Sequence, residues 1–260
     1  MTTKSEKPLM AAKVHAGWTH EHRESVSSTN TVLLADAVNI TGNHWLRADV
    51  QTAGKGRRGR AWSSPGANLY ASVLLINPAT PAEVGSLPLV ASLALHDAIE
   101  YLRPPWVTAT AQIKWPNDLL IDGAKCSGIL VESRALPNGV FAVVLGFGVN
   151  IGVFPKDGLN YEATSLGSNG WLATPEELFV ALTNAFAERL SQWKRGTAFH
   201  KLRDAWLDRA ARVGTKIVVN LPTEQISGQF VTIDDSGFLV LDTGSAGVRL
   251  ISAGDVFFEA

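Results

Sequence analysis

The residues best suited to chemistry form a basic, glycine-rich segment in the first quarter of the chain. It contains Gly54-Lys55-Gly56-Arg57-Arg58-Gly59-Arg60, and no acidic residue occurs between positions 50 and 82. Glycines let backbone N–H groups turn toward an anion, and guanidinium groups bind phosphate or carboxylate oxygens in pairs. The GxxxxGK[ST] pattern of a Walker A loop is absent. The segment favours a phosphate-binding loop, although an RNA-binding Arg/Gly tract or a solvated loop has the same composition.

Two further clusters place a lysine beside other polar groups at predicted strand ends. The segment Lys114-Trp115-Pro116-Asn117-Asp118 offers an ammonium, an amide and a carboxylate within one turn. This set suits a phosphate with Mg²⁺, because Mg²⁺ favours one or two carboxylates plus substrate phosphates. Taken alone, however, the cluster is more typical of an ordinary turn. Lys125 opens a predicted buried strand, where a lysine is unfavourable unless it is paired with an anion.

Other reactive residue types have simpler explanations. Cys126 is an isolated cysteine in an apolar strand, which is more typical of a packed core residue than of a nucleophile. His20 and His22 have the spacing of a metal pair on a strand, but no third ligand accompanies them, which favours surface residues. Neither a Ser-His-Asp order nor a G-x-S-x-G elbow is present.

The composition indicates a folded protein without a strong overall charge. The 260 residues include 23 Lys plus Arg and 24 Asp plus Glu, which gives a formal net charge of −1, and 46% are hydrophobic. A near-neutral chain gives no argument for bulk nucleic-acid or membrane binding. No secretory signal or membrane-spanning stretch is evident, and a single cysteine excludes an internal disulfide. We therefore expect a cytoplasmic protein with no membrane partner.

The hydrophobic periodicities predict an α+β fold. Helices are expected after Ser28, over residues 87–102, after Thr174 and after Phe199. Strands are expected over residues 45–51, 68–76, 111–115, 119–121, 126–133 and 140–149. From residue 213 the short alternating strands suggest a small β-barrel. The predicted organisation is a flexible tail at 1–16, a main domain at 17–212 with a mixed sheet and packed helices, and the small barrel at 213–260.

Taken together, five motifs resemble those of the biotin protein ligases. They are Ser28-Thr29-Asn30, the segment from Gln51 to Trp62, Lys114-Trp115-Pro116-Asn117-Asp118, Lys125-x-x-Gly128-Ile129-Leu130-x-Glu132 and Gly146-x-Gly148-x-Asn150. Their order and spacing are similar to that family from Trp18 to Ser168, and residues 214–256 resemble its C-terminal SH3-like barrel. The resemblance implies that the main domain is a catalytic domain of the biotin/lipoate ligase type, binding biotin and ATP.

The resemblance implies a two-step ligase reaction. Biotin and MgATP would give biotinyl-5′-AMP and pyrophosphate, and the biotinyl group would then pass to one lysine of a biotin carboxyl carrier protein. No protein nucleophile is needed, because adenylation supplies the leaving group. The implied cofactor is Mg²⁺, with biotin and ATP as substrates. The implied partner is the carrier protein, and the ligase itself would be a monomer or a homodimer.

The same resemblance assigns roles to individual residues. The positions that match the family's biotin site are Ser28, Thr29, Asn30, Gln51, Lys55, Arg57, Lys125 and Gly128. Those that match its ATP and adenylate site are Gly54, Gly56, Arg57, Arg58, Arg60, Trp62, Lys114, Asn117 and Asn150. Lys125, Arg57 and Lys114 would be catalytic, Trp62 would lie on the adenine, and Asp118 would contact Mg²⁺ held by the phosphates. Glu132 is interpreted as structural.

The sequence departs from the family pattern at two points, and one related family offers an alternative function. Lys55 stands where arginine is common, which keeps the charge but loses the guanidinium fork. Only 27 residues precede Ser28, too few for the winged helix-turn-helix of bifunctional members, so no DNA binding is expected. The alternative is a lipoate or octanoate ligase or transferase of the related fold. Such an enzyme needs a long apolar acyl tunnel, whereas the motifs here match the pattern that binds a ureido ring.

Overall fold

A computed structural model of the chain describes residues 14–15, 17–155, 158–159 and 161–258. Within these residues the chain forms a seven-stranded sheet, a five-stranded sheet and four α-helices. The helices are α1 (Thr29–Asp36), α2 (Leu87–Tyr101), α3 (Pro175–Trp193) and α4 (His200–Leu207). Most of the predicted tail lies outside the described residues, but Val14 packs against the core and the His15 ring lies 6.1 Å from that of Trp18.

The larger sheet is mixed, as the sequence predicted. Its strands are β1 (Thr19–Val26), β2 (His44–Gln51), β3 (Leu69–Ile76), β4 (Ala111–Lys114), β5 (Asp118–Ile121), β6 (Ala124–Ala135) and β7 (Phe141–Val149). They lie in the order β1-β2-β3-β7-β6-β5-β4, with β1 parallel to β2 and every other pair antiparallel. Strand β1 was not predicted. As an edge strand it carries polar residues on both faces, so its sequence has no apolar alternation to detect.

The two faces of this sheet are covered differently, because successive side chains on a strand point to opposite faces. On β3, Ala71, Val73 and Leu75 face the main core with α2 and α3. Leu74 faces the other way, into a smaller cluster with Leu33 of α1. Helix α1 has only eight residues, so it covers only part of that second face. The uncovered part is available to a ligand.

Glycines leave space for other side chains on the uncovered part of the face. In the pairing of β6 with β7, Gly128 lies opposite Gly148 and Leu130 lies opposite Gly146. A Cβ atom added at Gly146 would collide with the Asn30 side chain, and one at Gly148 would lie 2.5 Å from Trp62 Nε1. Side chains from α1 and from the basic segment therefore lie directly on the strands.

The C-terminal strands form a separate antiparallel sheet. They are β8 (Lys216–Asn220), β9 (Gln225–Ile233), β10 (Leu239–Asp242), β11 (Val248–Ile251) and β12 (Asp255–Phe258), in the order β11-β10-β9-β8-β12. The edge strands β11 and β12 are not paired with each other in the described chain, so the predicted barrel is an open five-stranded sheet. Its apolar residues join the main core, and Trp115 Nε1 donates to the Gly237 carbonyl at 3.1 Å.

The third helix follows its sequence signals closely. Thr174 Oγ1 accepts from the Glu177 backbone N–H at 3.2 Å, and the Glu177 carboxylate accepts from the Thr174 N–H at 2.8 Å, which completes the predicted capping box. Phe179 and Phe186 from this helix meet Trp45 of β2 edge-on, each at 5.7 Å. At α1, by contrast, Ser28 occupies the N-cap position without a capping hydrogen bond from its side chain. No helix in the described ranges is long and apolar enough to cross a membrane.

The capping box gives a test of how α3 is stabilised. Thr174→Ala removes the acceptor for the Glu177 N–H, and we expect the free energy of unfolding to fall by about 1 kcal/mol. Urea denaturation followed by circular dichroism measures the change. Thr223→Ala, at an exposed position, is the matched control and should shift the midpoint little. Equal effects of the two substitutions would contradict a capping role for Thr174.

The single cysteine gives a test of core packing. Cys126 is fully buried on β6, its Sγ lies 3.5 Å from the Leu119 carbonyl, and burial raises the pKa of its thiol to about 12. Because the thiolate is the reactive form, we expect the native protein to resist a thiol reagent at pH 8 and the guanidine-unfolded protein to react once per chain. Rapid reaction of the native protein would show that Cys126 is accessible.

Candidate active site

A cavity of about 680 Å³ opens over the uncovered part of the larger sheet, between α1, the basic segment and strand β12. Most of the predicted site residues line it. They are Ser28, Thr29, Asn30, Gln51, Lys55, Gly56, Arg57, Arg60, Trp62, Lys114, Asn117, Asp118, Lys125 and Gly128. Predicted residues that lie as far apart in the sequence as Ser28 and Gly128 thus contribute to one concave surface.

One end of the cavity carries neutral hydrogen-bonding groups. Ser28, Thr29 and Asn30 are buried at the start of α1. The Thr29 hydroxyl donates to Gln51 Oε1 at 3.1 Å, and the Thr29 backbone N–H donates to the same oxygen at 2.9 Å. The Gln51 amide in turn donates to Ser64 Oγ at 3.0 Å. These bonds fix the Gln51 side chain, so the polar surface at this end is ordered before any ligand binds.

Asn30 is held in one orientation by groups on two strands, β6 and β3. Its Nδ2 donates to Glu132 Oε2 at 2.9 Å and to the Leu130 carbonyl at 3.3 Å on β6, and its Oδ1 lies 2.6 Å from Ser72 Oγ on β3. The absence of a side chain at Gly146 on β7 leaves the space that Asn30 occupies. Glu132 therefore has the structural role that the sequence suggested, since it fixes which Asn30 atoms are donor and acceptor.

The other end of the cavity carries lysines whose charges are compensated. Lys125 Nζ forms an ion pair with Asp118 Oδ1 at 2.7 Å. The same ammonium lies 5.7 Å from the ring of Trp62 and 5.1 Å from that of Tyr161, within the range of cation–π attraction. Lys114 lies over the rings of the C-terminal strand β12, at 5.7 Å from Phe257 and 5.1 Å from Phe258.

Burial changes the pKa of two cationic side chains at this end of the cavity. Desolvation lowers the pKa of Lys114, opposed by the attraction of Asp118, and desolvation likewise lowers the pKa of Arg57, opposed by Asp255. Burial disfavours the charged form of a cation, so an incoming anion that replaces lost water would favour the charged form again. This end of the cavity is therefore suited to a polyanion.

The basic segment lies over the cavity as a hairpin-like loop. The Trp62 N–H donates to the Gly54 carbonyl at 2.9 Å, and the Gly56 N–H donates to the Arg60 carbonyl at 2.7 Å. Arg57, at its tip, donates from Nη1 to Asn117 Oδ1 at 2.8 Å. The loop and the turn between β4 and β5 thus form one wall.

Trp62 closes the loop onto the sheet. Its indole lies over Gly148 and Gly128, where any larger side chain would come within about 3.3 Å of the ring or closer. Its Nε1 is buried and has no hydrogen-bond partner among the described residues. A flat ring against a glycine floor, with a free donor at its edge, is an arrangement that suits stacking on a heterocyclic ligand.

Three predicted site residues do not line the cavity. Gly54 lies behind the loop, where a Cβ would collide with the Trp62 carbonyl. Arg58 turns toward the C-terminal sheet, where it donates to Asp255 Oδ2 at 3.1 Å. Asn150 is buried and donates to the Thr164 carbonyl at 3.0 Å, so it braces the segment that follows β7. Ligand contacts of these residues stay predictions.

Several cavity residues were not identified from the sequence. Strand β12 contributes Asp255, Phe257 and Phe258, and Arg212 and Tyr161 also line the cavity. No local pattern marks these residues, since an Asp-Val-Phe-Phe strand is ordinary on its own. Ser72, which holds Asn30 from behind, had a signal: it is a polar residue within the apolar run of β3.

The side chains available as metal ligands limit how a metal ion can bind in the cavity. The described residues contain no group of three or more His, Cys, Asp or Glu side chains placed to hold a metal ion. Asp118 is a carboxylate in the cavity, already paired with Lys125. One carboxylate fits Mg²⁺ when phosphate oxygens and water supply the remaining ligands. The geometry therefore agrees with Mg²⁺ brought in by a nucleotide and not with a resident protein-only site.

The cavity as a whole combines a fixed neutral surface with a cationic end. Such a site fits a ligand pair in which one partner has an uncharged polar ring and the other several phosphates. A carboxylate of the first partner and a phosphate of the second would meet near Lys125, next to Gly128. The arrangement can bring together an acid and a nucleotide and stabilise the charge of the reacting phosphoryl group.

Comparisons with known proteins agree with this geometry. The Biotin/lipoate A/B protein ligase family matches residues 23–150, and the Biotin protein ligase C terminal domain matches residues 214–259. The two matched segments contain the loop, the sheet and strand β12 that line the cavity.

Individual relatives match over nearly the whole chain. The Biotin--[acetyl-CoA-carboxylase] ligase of Paracoccus denitrificans is 40% identical over 237 residues, covering 89% of this chain and 97% of the relative. Its Mycobacterium tuberculosis counterpart is 38% identical over 239 residues, covering 88% and 85%. The biotin protein ligase of Aquifex aeolicus, solved with biotin and ATP, superposes with a TM-score of 0.76 at 26% identity, covering 92% and 97%. The chain belongs to the biotin protein ligase family.

Proposed function

We propose that the neutral end of the cavity binds the ureido ring of biotin, that the cationic end binds ATP, and that the two react beside Lys125 to give biotinyl-5′-AMP. The observation that carries this assignment is the continuity of the cavity, which joins the Thr29 network to the Lys125–Asp118 pair without a barrier. The relatives named as biotin ligases support the same substrates.

The neutral end has the donors and acceptors that a ureido ring requires. A ureido group presents one carbonyl acceptor and two N–H donors, and it carries no charge. Ser28 and Thr29 supply hydroxyl groups, while Asn30 and Gln51 supply amides whose orientation is fixed by Glu132, Ser72 and Ser64. A fixed network loses little entropy when the ligand binds.

The cationic end would carry the adenylation step. A carboxylate oxygen of biotin attacks the α-phosphorus of ATP, the bond to the β-phosphate oxygen breaks, and pyrophosphate leaves with the bonding electrons. Lys125, Arg57 and Lys114 would stabilise the negative charge on the carboxylate and phosphate oxygens as this occurs. Mg²⁺, coordinated by the phosphates and Asp118, would neutralise part of the triphosphate charge.

The second step would use an acceptor from another protein. The ε-amine of a lysine attacks the carbonyl carbon of the mixed anhydride, the amide bond forms, and AMP leaves. The acceptor we propose is a biotin carboxyl carrier protein, such as that of acetyl-CoA carboxylase, which appears in the names of the relatives. A cytoplasmic location and a monomeric or homodimeric assembly stay predictions of the sequence.

The alternative substrate is a lipoyl or octanoyl group, since the matched family includes lipoate ligases. An acyl chain buries apolar surface and gains nothing from hydrogen-bonding groups, which would lose their water on contact. The buried side chains of Ser28, Thr29 and Asn30 at the end of the cavity therefore favour biotin.

Removal of Lys125 tests the proposed reaction centre. We expect Lys125→Ala to slow biotin-dependent exchange of labelled pyrophosphate into ATP by at least about 100-fold, because one charge-stabilising donor is lost. Lys125→Arg should recover part of the rate, since it keeps the charge with altered geometry. Lys201→Ala, at an exposed position on α4, is the control and should exchange at the parental rate.

The acid supplied in this exchange assay distinguishes the substrates. Lipoate and octanoate run in parallel should give no exchange with the parent protein. Exchange with lipoate and not with biotin would indicate a lipoate ligase of the related type. Exchange by Lys125→Ala at the parental rate would contradict a role for Lys125 in the reaction.

The glycine floor under Trp62 tests the nucleotide assignment. Gly148→Ala places a methyl group about 2.5 Å from the indole, so Trp62 must move. We expect the KM for ATP to rise about tenfold, from the loss of stacking, with a smaller change in the KM for biotin. Gly66→Ala, where an added Cβ meets nothing within 4 Å, is the matched control. A larger effect on biotin than on ATP would contradict the placement of adenine on Trp62.

A further inference from the structure

One carboxylate of the C-terminal sheet faces all three arginines of the basic loop. Asp255, the first residue of β12, has a side chain that is only 18% exposed. Its oxygens lie 3.7 Å from an Arg57 nitrogen, 3.1 Å from Arg58 and 3.3 Å from Arg60. Asp255, Arg57 and Arg60 all line the cavity, so this anion and its cations border the space assigned to the nucleotide.

Contacts other than those of Asp255 also hold the loop in place. Arg57 donates to the Gly254 carbonyl at 3.0 Å and to Asn117, and Arg60 Nε donates to the Arg57 carbonyl at 3.2 Å. Arg58 has a φ of 53°, a left-handed conformation that non-glycine residues adopt only when their surroundings enforce it. These contacts involve neutral carbonyl and amide acceptors, so they do not depend on the charge of Asp255.

The carboxylate therefore has an electrostatic role that is separable from holding the loop in place. Three guanidinium groups close together repel one another, and one anion among them offsets part of that repulsion. A phosphate group that enters the cavity offers the guanidinium groups of Arg57 and Arg60 a second anion with matching geometry. Asp255 and the phosphates thus compete for the same positive charge.

We propose, on the basis of the proposed function, that Asp255 is a positioning residue whose carboxylate pairs with the loop arginines when no phosphate is bound. It keeps the three guanidinium groups together, and those of Arg57 and Arg60 line the cavity. Because it competes with the phosphates, it also weakens their binding and lets pyrophosphate leave after adenylation. The C-terminal sheet would in this way set the affinity of the catalytic site for polyanions.

The test is a calorimetric titration with inorganic pyrophosphate. In Asp255→Asn the amide keeps the size and one acceptor oxygen but removes the charge. We expect its Kd for pyrophosphate to be about two- to fivefold lower than that of the parent protein, a magnitude appropriate to partly exposed ion pairs. Asp255→Glu keeps the charge and should change the Kd less than Asp255→Asn does, whereas Asp208→Asn, an exposed control outside the cavity, should bind pyrophosphate with the parental Kd.

Each outcome decides the matter. A Kd that is unchanged or higher in Asp255→Asn would overturn the proposal, because the carboxylate would then either have no effect or assist the phosphates. A second neutral substitution, Asp255→Ser, answers the same question if the asparagine variant does not fold. Biotin-dependent pyrophosphate exchange by the parent protein is measured in parallel. If the parent protein shows no exchange, the proposed function is contradicted. If it shows exchange but the Kd for pyrophosphate is unchanged in the variants, only the role of Asp255 is contradicted.

Discussion

The site depends on one constraint, which is the electrostatic repulsion between cationic side chains that lie close together before an anionic ligand binds. Lys114, Lys125, Arg57 and Arg60 border one cavity, and burial removes part of the water that would otherwise stabilise the charges of Lys114 and Arg57. The chain compensates each charge in a different way. Lys125 has a carboxylate, Lys114 has two phenyl rings, and the arginines share Asp255 together with backbone carbonyls. Six cationic and three acidic residues line the cavity, so it keeps an excess of positive charge that attracts polyanions.

A second constraint is geometric and comes from the sheet. Alternation along β3, β6 and β7 sends one set of apolar side chains into the main core and leaves Gly128, Gly146 and Gly148 on the opposite face, beneath the cavity. A short α1 covers only part of that face. Its first residues therefore stand at the border between a packed cluster and an open cavity. The same strands thus stabilise the core on one side and form the floor of a binding site on the other.

The sequence predicted the parts of this structure that depend on local patterns. The capping box at Thr174, the helix near residue 87 and most strands of the larger sheet have periodicities or turn signals that stand out along the chain. Most motif residues gathered at the cavity were identified from the resemblance of five motifs to one family, whereas composition alone left simpler explanations open for the basic segment and for the turn at Lys114. Strand β1 lacked such a signal, since a polar edge strand shows no apolar alternation. The role of Asp255 was equally invisible, because it depends on a contact between distant residues.

The distance in sequence between the loop and β12 has a consequence for synthesis of the protein. Arg58 and Asp255 are 197 positions apart, although their side chains touch. On the ribosome, the loop and most of the sheet emerge long before the strand that completes the cavity wall. A nascent chain therefore exposes an incomplete cationic surface for most of its synthesis. Contacts of such long range form late in folding, since loop closure must precede them. The partly made protein thus lacks Asp255, Phe257 and Phe258, and the cavity wall is complete only when the C-terminal sheet has folded.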